Sequence, residues 1–172
     1  TLSIYDSSTC SLVGKKSMSV PGIADFAFAP ASVGNNDQQL LALWTPEQQN
    51  QTARVCIVND ATKEIVHNRS LFNVFRVTFF WQNEANFLCS KIERLTKNKK
   101  AMTSSLEIYR ISEKSMPIEV LDFKETVLNF AWEPKGDRFA IVSYFEAAPA
   151  PPTAAGGAAP GGPAAPAGPV VM

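Results

Sequence analysis

One short apolar strand is written three times along this chain, as Leu2-Ser3-Ile4-Tyr5, Val55-Cys56-Ile57-Val58 and Leu106-Glu107-Ile108-Tyr109, at offsets of 53 and 51 residues. A second marker keeps the same offsets. Phe28, Trp81 and Trp132 close the apolar runs DFAF, TFFW and NFAW, again 53 and 51 residues apart. Two unrelated markers sharing one period constitute an internal repeat. A period of about 40–50 residues in strand-rich sequence marks the blades of a propeller. A chain built this way is a stretch of repetitive scaffold, and its function is to be sought on its surface.

Strand-length segments with strand composition follow one another at residues 2–5, 16–20, 23–29, 39–45, 54–59, 65–69, 76–82, 87–93, 105–111, 118–122, 127–132 and 138–144. Turn residues separate them, among them Pro21-Gly22, Gly34-Asn35-Asn36-Asp37 and Pro134-Lys135-Gly136-Asp137. No segment carries a sustained apolar stripe of helical period, so the class is all-β. In a propeller, strands A to D run from the central channel to the rim. The runs ending at Phe28, Trp81 and Trp132 fit strand A, and the thrice-written motif fits strand C. The order is then C-D, A-B-C-D, A-B-C-D, A-B. This predicts a partial β-propeller of two complete four-stranded blades between two half blades. A closed propeller needs roughly four to eight blades. The unpaired strand edges of such an arc predict that residues 1–146 alone are insoluble or poorly cooperative. The aromatics Phe26, Phe28, Phe79, Phe80, Trp81, Phe130 and Trp132 recur with the period and are expected as core between neighbouring blades rather than as a ligand cage.

Composition divides the chain in two. Of the last 26 residues, 147–172, 22 are Ala, Pro or Gly and none is charged. Such a stretch lacks the side chains that offset chain-ordering entropy and is expected to be a disordered, tolerated insertion or tail. Residues 1–146 hold all 32 charged side chains and form the propeller segment. The formal net charge is zero, which removes any global attraction to nucleic acid or membrane. No apolar run approaches the roughly 18–20 residues that span a bilayer. The chain opens on Thr1 within a strand-like run, which suggests a fragment without a signal peptide. Three cysteines without CxxC spacing favour reduced thiols in an intracellular protein.

Catalysis finds no support. The single histidine, His67, has no ligand cluster around it in sequence, and no nucleotide-binding or nucleophile-elbow motif is present. No metal site, catalytic residue or cofactor is expected. One local feature stands out: Lys91, Arg94, Lys97, Lys99 and Lys100 fall within ten residues, opposed only by Glu93. They span the end of one strand and the loop to the next. Such a cluster is either a solubilising loop or a phosphate-contacting one. Lacking an aromatic at its tip, it suits backbone phosphates better than stacked bases. In the propeller reading this B–C connection shares its face with the D–A connections.

Several particular stretches carry a family resemblance: SIYD at 3–6, GIADFAFAP at 22–30, LFNV at 71–74 followed by WQN at 81–83, SLEIYRI at 105–111, and ETVLNFAWEPKGDRF at 125–139. In this order they resemble the WD40-like propeller of the b subunits of eukaryotic translation initiation factor 3, over about residues 1–144. The Ala/Pro/Gly tail and the polar turn at 34–39 depart from that pattern. The resemblance implies a non-catalytic cytoplasmic scaffold whose propeller docks on the small ribosomal subunit. It makes ribosomal RNA, ribosomal proteins and the other initiation factor subunits the expected partners, with no membrane or small-molecule substrate. It also favours Lys91, Arg94, Lys97, Lys99 and Lys100 as the contact residues. The family's flanking RNA-recognition-type domain and helical tail have no counterpart among these residues. The alternative is a generic protein-interaction propeller unrelated to translation.

Overall fold

The computed structural model of the chain describes residues 1–14, 16–31, 39–95 and 102–144. Ten antiparallel strands fall into three sheets. The first contains β1 (Asp25–Phe28), β2 (Leu40–Thr45), β3 (Ala53–Asn59) and β4 (Ile65–Leu71), hydrogen-bonded in chain order. The second repeats that order with β5 (Val74–Trp81), β6 (Phe87–Leu95), β7 (Met102–Arg110) and β8 (Ile118–Phe123). The third pairs β9 (Thr126–Trp132) with β10 (Phe139–Tyr144). All ten coincide with expected strands to within a few residues. The all-β class holds among the described residues, and none of the sheets closes on itself.

The two expected strands at the beginning do not form. Residues 1–20 are held by isolated bridges, Leu2 to Met18 and Tyr5 to Leu12. Between those bridges one arm advances three residues while the other retreats six, so no continuous ladder fits. The local chemistry of the turn competes with a strand: the Asp6 carboxylate accepts from the backbone N–H groups of Ser8 (2.7 Å) and Thr9 (3.2 Å). Gly14, at φ 73°, then takes the returning arm out of extended geometry. The stretch 147–172 lies outside the described residues.

Burial follows position within each sheet. The middle strands are covered on both faces, which is why LLALWT of β2 reads as a continuous apolar run without alternation. The outer strands β4, β8 and β10 are largely exposed. Between the first and second sheets, Ala42, Trp44, Val55 and Ile57 pack with Val77, Leu88, Ile92 and Tyr109. Between the second and third, Cys89, Leu106 and Ile108 pack with Phe80, Phe130, Trp132 and Ile141. Met18, Leu2 and Ile4 cover part of the opposite face of the first sheet, over Leu41, Leu43, Cys56 and Val58.

The repeat has a direct physical expression. The indole N–H of Trp81 donates to the Ala27 carbonyl of the preceding sheet at 3.1 Å, and that of Trp132 donates to the Phe80 carbonyl at 2.8 Å. Each acceptor sits one residue before the periodic equivalent of its donor. The neighbouring turn is clasped in the same way: Gln82 Nε2 donates to the Gly136 carbonyl (2.8 Å) and Asn83 Nδ2 to the Pro134 carbonyl (2.9 Å). Of the seven aromatics expected as inter-sheet core, Phe130 is buried and Phe79, Phe80, Trp81 and Trp132 are partly buried. Phe26 and Phe28 are corrections, at 48% and 43% exposure. Their rings face the side of the first sheet that residues 1–20 cover only in part, and they contact each other edge-on at 6.4 Å.

Candidate functional site

The five basic residues singled out by sequence divide into three environments. Lys91 is in the middle of β6, and both faces of that strand are covered. Its side chain is buried; Nζ lies 3.1 Å from Glu93 Oε1 and donates to the Leu128 carbonyl of β9 at 3.5 Å. A lysine so placed joins the second and third sheets and does not present its ammonium to a partner. Arg94, half-buried at the end of β6, donates from Nη1 to Ser105 Oγ (2.6 Å) and from Nε to the Phe72 carbonyl (3.4 Å). Lys97, Lys99 and Lys100 lie outside the described residues.

The strand register sets what surrounds Arg94. Val74 pairs with Arg94 and Arg76 with Glu93, so Phe75 is the extra residue of a bulge in β5. A bulge bends its strand and re-aims a side chain, and Phe75 is 51% exposed. In the turn before it, Asn73 takes a left-handed conformation at φ 55°, and Phe72 is 62% exposed. The Arg76 guanidinium sits 5.8 Å from the centroid of the Phe75 ring and 3.9 Å from Glu93 Oε2. The exposed Phe72 and Phe75 therefore sit where β5 begins and β6 ends, with the Arg76 guanidinium beside the Phe75 ring and Arg94, on the other face of β6, bonded to the Phe72 carbonyl. The sequence reading assigned no aromatic to the basic segment, because Phe72 and Phe75 are about twenty residues distant along the chain and arrive through β5–β6 pairing. The signal available was two large apolar side chains beside Asn73 at a turn.

Other polar groups bind the sheets together. Glu107, in the middle of β7, is fully buried. It accepts from Tyr109 Oη at 3.0 Å and from Arg69 Nη2 of the first sheet at 3.3 Å. Burial, then the neighbouring Glu107 charge, pushes the Tyr109 hydroxyl well above its ordinary pKa. His67 meets the Tyr109 ring edge-on at 5.7 Å, and burial, reinforced by Arg69, lowers its pKa. His67 is thus a packed side chain. Cys56 and Cys89 are buried free thiols whose pKa values are raised by desolvation, and Cys10 is exposed. Among the described residues, no three His, Cys, Asp or Glu side chains cluster in a way that could hold a metal ion. A shallow cleft of about 410 Å³ between residues 14–20 and 61–65 includes Lys16 and Lys63 in its lining. It lies at the β3–β4 turn, the opposite end of the first sheet from the β4–β5 turn.

Sequence comparison gives this surface its context. The family model described as eukaryotic translation initiation factor eIF2A matches residues 69–150. The b subunit of eukaryotic translation initiation factor 3 from Schizosaccharomyces pombe is 45% identical over 146 residues, covering 83% of this chain and 20% of the relative. The Yarrowia lipolytica b subunit is 47% identical over 148 residues, covering 83% and 21%. That of Emericella nidulans is 44% identical over 162 residues, covering 90% and 22%. The chain is a homologue of the b subunit of eukaryotic translation initiation factor 3. It spans about a fifth of the length of these relatives. Two solved structures share its fold. One, described as the crystal structure of the eukaryotic initiation factor, has a TM-score of 0.54 and 19% identity, over 74% of this chain and 29% of that one. The other, Kuenenia stuttgartiensis hydrazine synthase, has a TM-score of 0.56 and 12% identity, over 81% and 42%. At such identities the likeness is of fold alone. No helix among the described residues is long and apolar enough to cross a membrane.

Proposed function

We propose that this chain is part of a non-catalytic scaffold in translation initiation, an arc of a WD40-like β-propeller that docks on the small ribosomal subunit in the cytoplasm. The observation that carries the reading is the 43–47% identity to initiation factor 3 relatives across more than four-fifths of the chain. Supporting the arc are two successive four-stranded sheets of the same antiparallel order, joined by the repeated tryptophan bonds. Other initiation factor subunits, ribosomal RNA and ribosomal proteins are the partners in this reading.

The contact surface in this proposal is the end of the sheets where β4 turns into β5 and β6 gives way to residues 96–101. Arg94, Lys97, Lys99 and Lys100 supply its charge. Lys91 drops out of the contact set because its ammonium is spent on Glu93 and the Leu128 carbonyl. Lysines on a connecting segment meet phosphate without reading sequence, and each phosphate contact releases a counterion. Reversing Lys97, Lys99 and Lys100 to glutamate in the intact protein should weaken co-sedimentation with small ribosomal subunits. The dependence of log affinity on log salt should become shallower by roughly two to three units. An unchanged affinity and slope would sink the docking assignment.

A further inference from the structure

We infer that Phe72 and Phe75, with the Arg76 guanidinium beside Phe75, form a stacking site for the bases of unpaired RNA. The inference rests on the reading that this end of the sheets faces ribosomal RNA, and it adds what the lysines cannot supply, a preference for single strands.

The two rings differ from the other exposed apolar groups. Phe26, Phe28, Leu128 and Val142 lie on the strands of the first and last sheets, Val120 and Leu121 on the outer strand of the second, and the aliphatic Leu95 shares this end but offers no ring. Phe72 and Phe75 instead sit at the junction of two complete four-stranded sheets, at the strand ends where connections emerge. Their backbone is also held in place. The Leu71 side chain before them is buried, the left-handed Asn73 makes the turn, Arg94 Nε ties down the Phe72 carbonyl, and the bulge ejects Phe75. A ring on a fixed backbone has only its two side-chain torsions to lose when a base stacks on it.

Charge selects the partner. Glu93, the carboxylate nearest to Arg76, is buried and already paired with Lys91 at 3.1 Å, against 3.9 Å to Arg76. The Arg76 side chain is 63% exposed, and its guanidinium sits 5.8 Å from the Phe75 ring centroid, leaving a cation beside an aromatic face. That combination suits a nucleotide, whose base stacks while its phosphate meets the guanidinium. A duplex keeps its base faces covered, so only unpaired RNA can use the rings.

The test uses the intact protein and fluorescence anisotropy with a labelled single-stranded oligoadenylate and a labelled RNA duplex. The double variant Phe72→Leu/Phe75→Leu keeps apolar bulk but removes the rings. It should lose roughly tenfold or more in affinity for the single strand, with its salt slope, duplex binding and melting temperature unchanged. The Phe72→Trp/Phe75→Trp variant should bind the single strand more tightly. Unchanged single-strand affinity in the leucine variant overturns the platform, as does an equal loss for duplex. Loss of small-subunit co-sedimentation without loss of single-strand affinity would assign the rings to a protein contact and also overturn it. Because the anisotropy needs no ribosome, the single-strand loss would stand as support even if charge reversal left ribosome sedimentation untouched.

Discussion

Glu107 carries a carboxylate to a site with 2% exposure, and among the described residues two donors hold it there. The Tyr109 hydroxyl comes from the same strand, and the Arg69 guanidinium reaches across from the first sheet. Removing the carboxylate leaves the buried Tyr109 hydroxyl without its acceptor, whereas Arg69, 43% exposed, keeps access to water. Glu107→Ala should therefore lower unfolding stability by about 1–3 kcal/mol, and Glu107→Gln by less, measured by denaturant titration. A loss below about 0.5 kcal/mol for the alanine variant would show that water replaces the carboxylate freely. Sequence places Glu107 in a strand but not in the interior. Alternation in LEIY puts Leu106 and Ile108 on one face and Glu107 and Tyr109 on the other, and a strand with a polar residue on one face reads as half-solvated. The second sheet is covered on both faces, so its polar face is buried too. Lys91 is misread for the same reason. Its charge matches the lysines that follow it, whereas its strand position puts it opposite β9.

At the level of elements, β1, β5 and β9 are equivalent strands that differ in their closing residue, Phe28, Trp81 and Trp132. Only the two indoles can donate to a preceding sheet. Trp132 also packs against Phe87, Phe130 and Phe139, with ring centroids 5.2–5.8 Å apart. Replacing Trp81 or Trp132 by phenylalanine keeps most of the ring contact and removes one hydrogen bond. Each change should cost about 1 kcal/mol, a fall in melting temperature of roughly 2–4 °C. The pair should be additive if the two junctions are independent, and unequal single losses would show that packing rather than the bond carries the difference. All ten strands were legible from composition and turn residues. The strand ends were less so, because β4–β7 each run two or three residues past the expected limit at one end, where side-chain alternation has faded but backbone pairing continues. The first two expected strands failed because a matching apolar motif does not guarantee register. The Asp6 turn and Gly14 decide the geometry there.

Over the whole molecule, each sheet is finished by its neighbour. The second, flanked on both sides, buries polar as well as apolar side chains in its middle strands, among them Tyr109, Leu88, Ile92, Leu106 and Glu107. The first and third leave Phe26, Phe28, Leu128 and Val142 at 43–58% exposure. Exposed apolar faces of this kind, together with free strand edges, promote association. Residues 1–146 expressed alone should sediment as concentration-dependent oligomers, whereas a monomer with a sharp, reversible melt would refute that expectation. The period of the repeat made this stacked order readable in advance. The placing of Phe72, Phe75 and Arg76 at the end of β6 was not readable, since it depends on which connections come to one end of adjacent sheets. The tryptophan bonds also give the order a direction in time. Each indole reaches back to a carbonyl synthesised some fifty residues earlier. A growing chain therefore has each indole's acceptor in place before the donor emerges, whereas the Gln82, Asn83 and Lys91 side chains wait for carbonyls still to come, so each new sheet docks on an earlier one and then completes its polar bonds.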